Sequence, residues 1–144
     1  MITVYESVAR NWLTPILATI EPIHVVVDLE VIPDWAQFGN SGLFSSPNDQ
    51  HFDMMGGLQR HVEFKSFYLR RSFSDFQQRL NNETFMETLR NKIHEMNLDS
   101  NFPDDGREWI SITINAGIYP AQKEVGLRGD NADYLVPLRL EYVS

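Results

Sequence analysis

Between positions 56 and 93 the chain reads GGLQRHVEFKSFYLRRSFSDFQQRLNNETFMETLRNKI, a Gly-Gly pair, a long aromatic and basic run, and a helical apolar stripe, with no catalytic motif among them. This order constrains the fold more than any other feature. Adjacent glycines adopt the positive φ angles of a tight turn at no steric cost, so the short run 51–55 and the long run 58–72 are expected to form an antiparallel hairpin. In the second strand Val62 and Phe64 share one parity while Phe67 and Leu69 share the other. That predicts either a bulge near Ser66 or a strand covered on both faces. Phe85, Leu89, Ile93 and Met96 then recur at helical spacing. With Asn82 as N-cap and Glu83 in the first turn, a helix is expected over 83–96.

The flanking segments extend the same pattern. Tyr5, Val8, Trp12, Ile16 and Ile20 predict an amphipathic helix over 3–20 that Pro15 bends or ends early. Alternation over 23–31 and at Ile110, Ile112 and Ile114 predicts two half-buried strands. A last strand over 133–143 carries Tyr134, Val136, Leu138, Leu140 and Tyr142 on one side, with Pro137 arguing for an edge or a bulge. Residues 33–50 and 118–131 read as long loops. The expected fold is α+β, a mainly antiparallel or mixed sheet packed against two α-helices, in a single domain spanning 1–144.

Composition narrows the function. A chain of 144 residues without cysteine has neither thiol catalysis nor thiolate zinc sites nor disulfides open to it, and it is long enough to bury a core unaided. Its start lacks a signal-peptide pattern and no run approaches the ~20 apolar residues of a membrane span, so a soluble protein, cytosolic where it is made, is expected. The net charge of −8 is unevenly spread. Residues 11–59 hold Glu21, Asp28, Glu30, Asp34, Asp49 and Asp53 and no Lys or Arg, whereas 60–71 set Arg60, Lys65, Arg70 and Arg71 against Glu63 alone. An acidic protein with one basic strand lacks the dominant positive field that phosphate binding needs, so nucleic-acid binding is not expected.

Candidate chemistry is thin. His51 and Asp53 share one side of a strand but have no third ligand nearby in sequence, so no metal site is expected. The turn Gly126-Leu127-Arg128-Gly129-Asp130 lacks the preceding strand and following helix of a phosphate-binding loop, and its RGD triplet is too short to imply adhesion. Neither catalytic residues nor a cofactor are expected. The alternative function is an RNA-binding module that stacks bases on the basic-aromatic strand 64–73, FKSFYLRRSF, although the small-residue spacing of the RNA-recognition signature is missing.

In their order and spacing, the 56–93 segment, NFPDDGREWISITINAGIYP and NADYLVPLRLEYVS resemble the small minor capsid or tail terminator proteins of long-tailed bacteriophages. The resemblance rests on Gly57, Phe64, Tyr68 and Arg70, on Asn82, Phe85, Glu87 and Leu89, on Pro103, and on Tyr134, Leu140 and Tyr142, with a looser likeness in the opening YESVARNWL. It implies a tail-terminator-like fold and a structural protein of the virion neck. The implied assembly is a six-fold ring that caps the tail tube and joins it to the head, with the tube protein and head-tail connector proteins as partners and the host cytoplasm as the place of assembly. Head-to-tail rings join two different surfaces of each subunit. The charge asymmetry then predicts that Arg60, Lys65, Arg70 and Arg71 of one subunit face Asp28 and Glu30 of the next.

Overall fold

A computed structural model describes residues 2–21, 27–29, 41–45, 49–73, 75–124 and 131–144, with the side chains of 28, 29, 55 and 122–124 left aside. The chain opens with helix α1, Val4–Val8, capped by Thr3, whose Oγ1 accepts the Glu6 N–H at 3.1 Å. A π-turn, Ala9–Leu13, leads into α2, Thr14–Ile20. Pro15 explains the π-turn. A proline inside a helix lacks an N–H and crowds the carbonyl four residues back. Widening one turn relieves this, and the Thr14 N–H reaches the Ala9 carbonyl five residues back, where the Thr14 hydroxyl also donates at 2.7 Å. The expected helix therefore runs its full length with a local widening in place of a break. Thr14 Oγ1 also accepts the Val27 N–H at 3.2 Å, tying the helix to the approach to the sheet.

The sheet comprises β1 (Asp28–Leu29), β2 (Ser41–Ser45), β3 (Gln50–Asp53), β4 (Gln59–Ser72), β5 (Glu108–Ile114), β6 (Tyr119–Glu124) and β7 (Asn131–Val143). Its order is β1-β2-β4-β7-β5, with β3 beside β2 along β4 and β6 beside β5 along β7. Every pair is antiparallel except β1 with β2. This is the α+β architecture expected, and the turn Met55–Gly57 joins β3 to β4 with Gly56 and Gly57 at φ 81° and 78°.

Two stretches expected as loop differ from expectation. Residues 41–45, read as part of a loop, form β2, in which Leu43 is buried opposite Phe67. Residues 119–124, also read as loop, form β6 along the first half of β7. Of the strand expected over 23–31, Asp28 and Leu29 form β1 and most of the rest lies outside the described residues, as do residues 33–40, 46–48 and 125–130 of the two expected loops.

β4 and β7 pair without interruption from Arg60↔Val143 to Ser72↔Asn131, so there is no bulge near Ser66. The mixed parity of β4 arises because both faces are covered to some degree. Phe67 and Leu69 join Val136, Tyr134, Leu138 and Leu140 of β7 in one cluster with Trp12, Leu13 and Leu17 of the N-terminal helix and Phe85, Leu89 and Ile93 of α3. On the opposite face Phe64, Tyr68 and Arg70 are half-buried. Pro137 lies in this central strand, neither at an edge nor at a bulge. Asn115 donates to its carbonyl at 2.7 Å, so its missing N–H points to the seam where β7 passes from β6 to β5.

Helix α3, Phe76–Leu98, is longer than predicted. Asp75 caps it, accepting the Gln78 N–H at 2.8 Å. Asn82 is buried inside the helix, where its amide serves tertiary contacts instead of a cap. In β5 a register shift between Trp109 and Ser111 expels Ile110 to the surface and puts Trp109 opposite Tyr142, overriding the alternation of the three isoleucines.

Candidate functional site

The four bases of β4 all find carboxylates within the chain. Arg70, on the open face of the sheet, forks onto Asp133 of the neighbouring β7 through Nε at 2.7 Å and Nη2 at 2.9 Å. Arg60 bonds Glu141 through Nε at 2.6 Å and also through Nη2, and Arg139 reaches the second oxygen of that carboxylate at 3.3 Å. Burial works to raise the Glu141 pKa, but the Arg60 hydrogen bonds and the charges of Arg60 and Arg139 outweigh it and hold the carboxyl below its usual value.

Lys65 and Arg71 point the other way, toward the helices, and are 3% and 5% exposed. Lys65 Nζ lies 3.1 Å from Glu63 and 3.4 Å from Asp49, above the Tyr5 ring at 4.9 Å. Arg71 donates to Asn82 Oδ1 at 3.0 Å and to Glu21 at 2.8 Å, and its guanidinium lies 4.3 Å from the Phe85 ring centre. Asn82 Nδ2 donates onward to the Ser72 carbonyl at 2.8 Å, locking the end of β4 to α3. Within the chain these bases therefore pair with Glu141, Glu63, Asp49, Asp133 and Glu21. Asp28 sits in β1 with its backbone alone described, and Glu30 is outside the described residues.

Apart from Glu63, two residues from Lys65, these partners lie outside the basic run, 81 residues away for Arg60 and Glu141 and 63 for Arg70 and Asp133. The same orientation bears on base stacking. Lys65, Phe67 and Arg71 are buried, and Tyr68 on the open face is met edge-on by Phe44 at 5.4 Å.

At the other end of β4, His51 stands directly opposite His61, their Nδ1 atoms 2.5 Å apart, so one ring donates and the other accepts. His61 stacks on Tyr142 with ring centres 4.6 Å apart, and Trp109 tilts onto Tyr142 from β5. Burial and then the neighbouring His51 lower the His61 pKa, and burial together with the Glu63 carboxylate, to which its hydroxyl donates, raises that of Tyr142. Asp53, read with His51 as a potential metal ligand, instead accepts from Gln59 at 3.2 Å. Among the described residues no group of three His, Asp or Glu side chains is placed to hold a metal ion.

Two surface features adjoin these elements. The β3–β4 hairpin presents Phe52, Met54 and Leu58, each close to half exposed, and all four residues of β3 are exposed. A cleft of about 550 Å³ lies between the second half of α3 and the end of β5, lined by Arg90, His94 and Asn97 on one side and Thr113, Ile114 and Gly117 on the other.

No protein-family model matches the chain, and no curated protein matches it. Among the described residues no helix is long and apolar enough to cross a membrane.

Proposed function

We propose that this protein is a structural subunit of the neck of a long-tailed bacteriophage, acting in a ring that terminates the tail tube and joins it to the head. The observation that carries the reading is the β3–β4 hairpin. Among the described residues β3 pairs with β4 alone, and Phe52, Met54 and Leu58 are each close to half exposed. Exposed apolar side chains on an unpaired edge strand are an aggregation hazard unless a partner covers them, and a head-to-tail ring supplies that partner at every subunit. The ordered likeness of the 56–144 segment to tail terminator proteins supports the same reading. Its place would be the virion neck, reached after assembly in the host cytoplasm.

The test is to delete the gene and image the particles by electron microscopy. Overlong tail tubes indicate a terminator, and normal detached tails beside filled heads indicate a joining role. Normal infectious particles would overturn both.

A further inference from the structure

We infer that His51 and His61 form an acid-opened latch, which holds strand β3 against β4 at neutral pH and releases it once both rings carry an added proton. The inference is independent of the neck reading and gives the exposed hairpin a conformational control.

The geometry comes from strand register. Met54 donates its N–H to the Leu58 carbonyl at 2.8 Å, and Gln59 and Ser144 exchange both backbone bonds across β4 and the end of β7. Alternation along β4 then turns the backbone groups of Arg60 and Val62 toward Phe52 and Gln50 of β3, and those of His61 toward β7. His51 and His61 are therefore a pair without ladder bonds between them, the arrangement in which facing side chains come closest. Their Nδ1 atoms meet at 2.5 Å, so the rings supply the link that the backbone lacks there.

That contact tolerates one added proton and no more. With none, one Nδ1–H donates to the lone pair of the other ring. With one, an imidazolium donates to a neutral ring in the same way, and the link is charge-assisted. A second puts hydrogen on both Nδ1 atoms and positive charge on both rings, so the hydrogen bond is lost and the rings repel. The two protonations are coupled, and the second opens the latch.

The surroundings determine which ring moves. His61 is half-buried, stacks on Tyr142 and bonds the Ser144 hydroxyl through Nε2 at 2.7 Å. His51 stands on a strand whose four residues are all exposed, so it is the ring that swings out. Among the charged groups facing the pair, Glu63 of β4 favours a proton on His61, but Lys65 at 3.1 Å and the Tyr142 hydroxyl share that carboxylate. Arg107, ahead of β5 and paired with Asp105, lies 5.6 Å from the Tyr142 ring centre and opposes the proton. Burial and His51 oppose it too, and the neutral form of His61 prevails. To either side, Asp49 accepts the Phe64 N–H at 2.9 Å and Asp53 accepts from Gln59 at 3.2 Å. Of these residue types histidine is the one that changes charge between about pH 5 and 8, which makes the middle link the switchable one.

The test is hydrogen exchange by NMR on the full chain, read as protection factors so that the intrinsic pH dependence of exchange cancels. Between about pH 8 and pH 5, protection at the Phe52 and Arg60 amides, which bridge β3 and β4, should fall roughly tenfold. The amides of Phe67 and Leu138, in the middle of the sheet, should fall far less. His51→Gln keeps a polar side chain at an exposed position and removes one of the two titrating rings, so the fold should persist and the β3 response to pH should disappear. Unchanged β3 protection across this range overturns the inference, as does the same fall in His51→Gln. An equal fall at Phe67 and Leu138 overturns it as well, because the whole domain is then loosening. None of these outcomes touches the neck reading, which the deletion phenotype judges.

Discussion

The side-chain amide of Asn97 grips the backbone of Ile112 as a neighbouring strand would. Its Oδ1 accepts the Ile112 N–H at 2.8 Å and its Nδ2 donates to the Ile112 carbonyl, with a second Nδ2 bond to Ile93 at 2.9 Å. One residue of α3 thereby closes part of the outer edge of β5 and fixes the helix against the sheet.

Asn97→Ala should strand both Ile112 backbone groups and cost on the order of 1–3 kcal/mol in urea unfolding. Hydrogen exchange supplies the local readout. The Ile112 amide should lose protection while that of Thr113, which faces β7, keeps it.

Arg71→Met should destabilise by roughly 3–5 kcal/mol, because the Glu21 carboxylate and Asn82 amide around it lose a buried partner. Arg60→Met removes a side chain 43% exposed and leaves Glu141, itself 10% exposed, still reached by Arg139, so the loss should be smaller, about 1 kcal/mol. Chemical denaturation of the two variants measures the contrast, and equal losses would contradict the assigned burial. For the same reason, reversing Arg70 and Arg71 to Glu would disturb the monomer before it reported on any subunit contact.

Much of the fold could be read from sequence wherever one local preference dominated. The Gly56-Gly57 turn needs only positive φ, and the Phe85, Leu89, Ile93 stripe needs only helical period. Reading failed where long-range contacts overrode local signals. Ser41-Gly42-Leu43-Phe44-Ser45 has the composition of a loop yet pairs as β2 because β4 offers an edge. Asn82 is a good N-cap by local preference, but Arg71 and the Ser72 carbonyl take its amide and Asp75, an equally good cap, caps the helix. The candidate site was the least legible part. The run of bases in β4 was plain, but its alternating direction and its partners in β7 and near the N-terminus exist only once the register is set.

Acid sensitivity should follow Glu141 and His61. Glu141 has a folded pKa below 4.5, so it contributes stability above that pH that is lost as pH falls through the folded value. Glu141→Gln should flatten this part of the stability profile below pH 4.5. The neutral form of His61 is favoured in the fold, so stability also falls with acidification below pH 6.5, and NMR should show His61 titrating below that value. A His61 midpoint above 6.5 would contradict its placement between His51 and Tyr142.

Single-stranded RNA at moderate salt should show no saturable gel shift. Lys65, Phe67 and Arg71 are turned into the core, and Arg70 is forked onto Asp133. Saturable binding that Tyr68→Ala abolishes would instead support a base-stacking surface on the open face of the sheet.

The central claim, a place in the neck, is tested most directly by gold labelling of an epitope-tagged copy in purified particles under the electron microscope. The account predicts label at the head-tail junction of each particle. Label along the tail tube, label over the capsid, or unlabelled particles would contradict it.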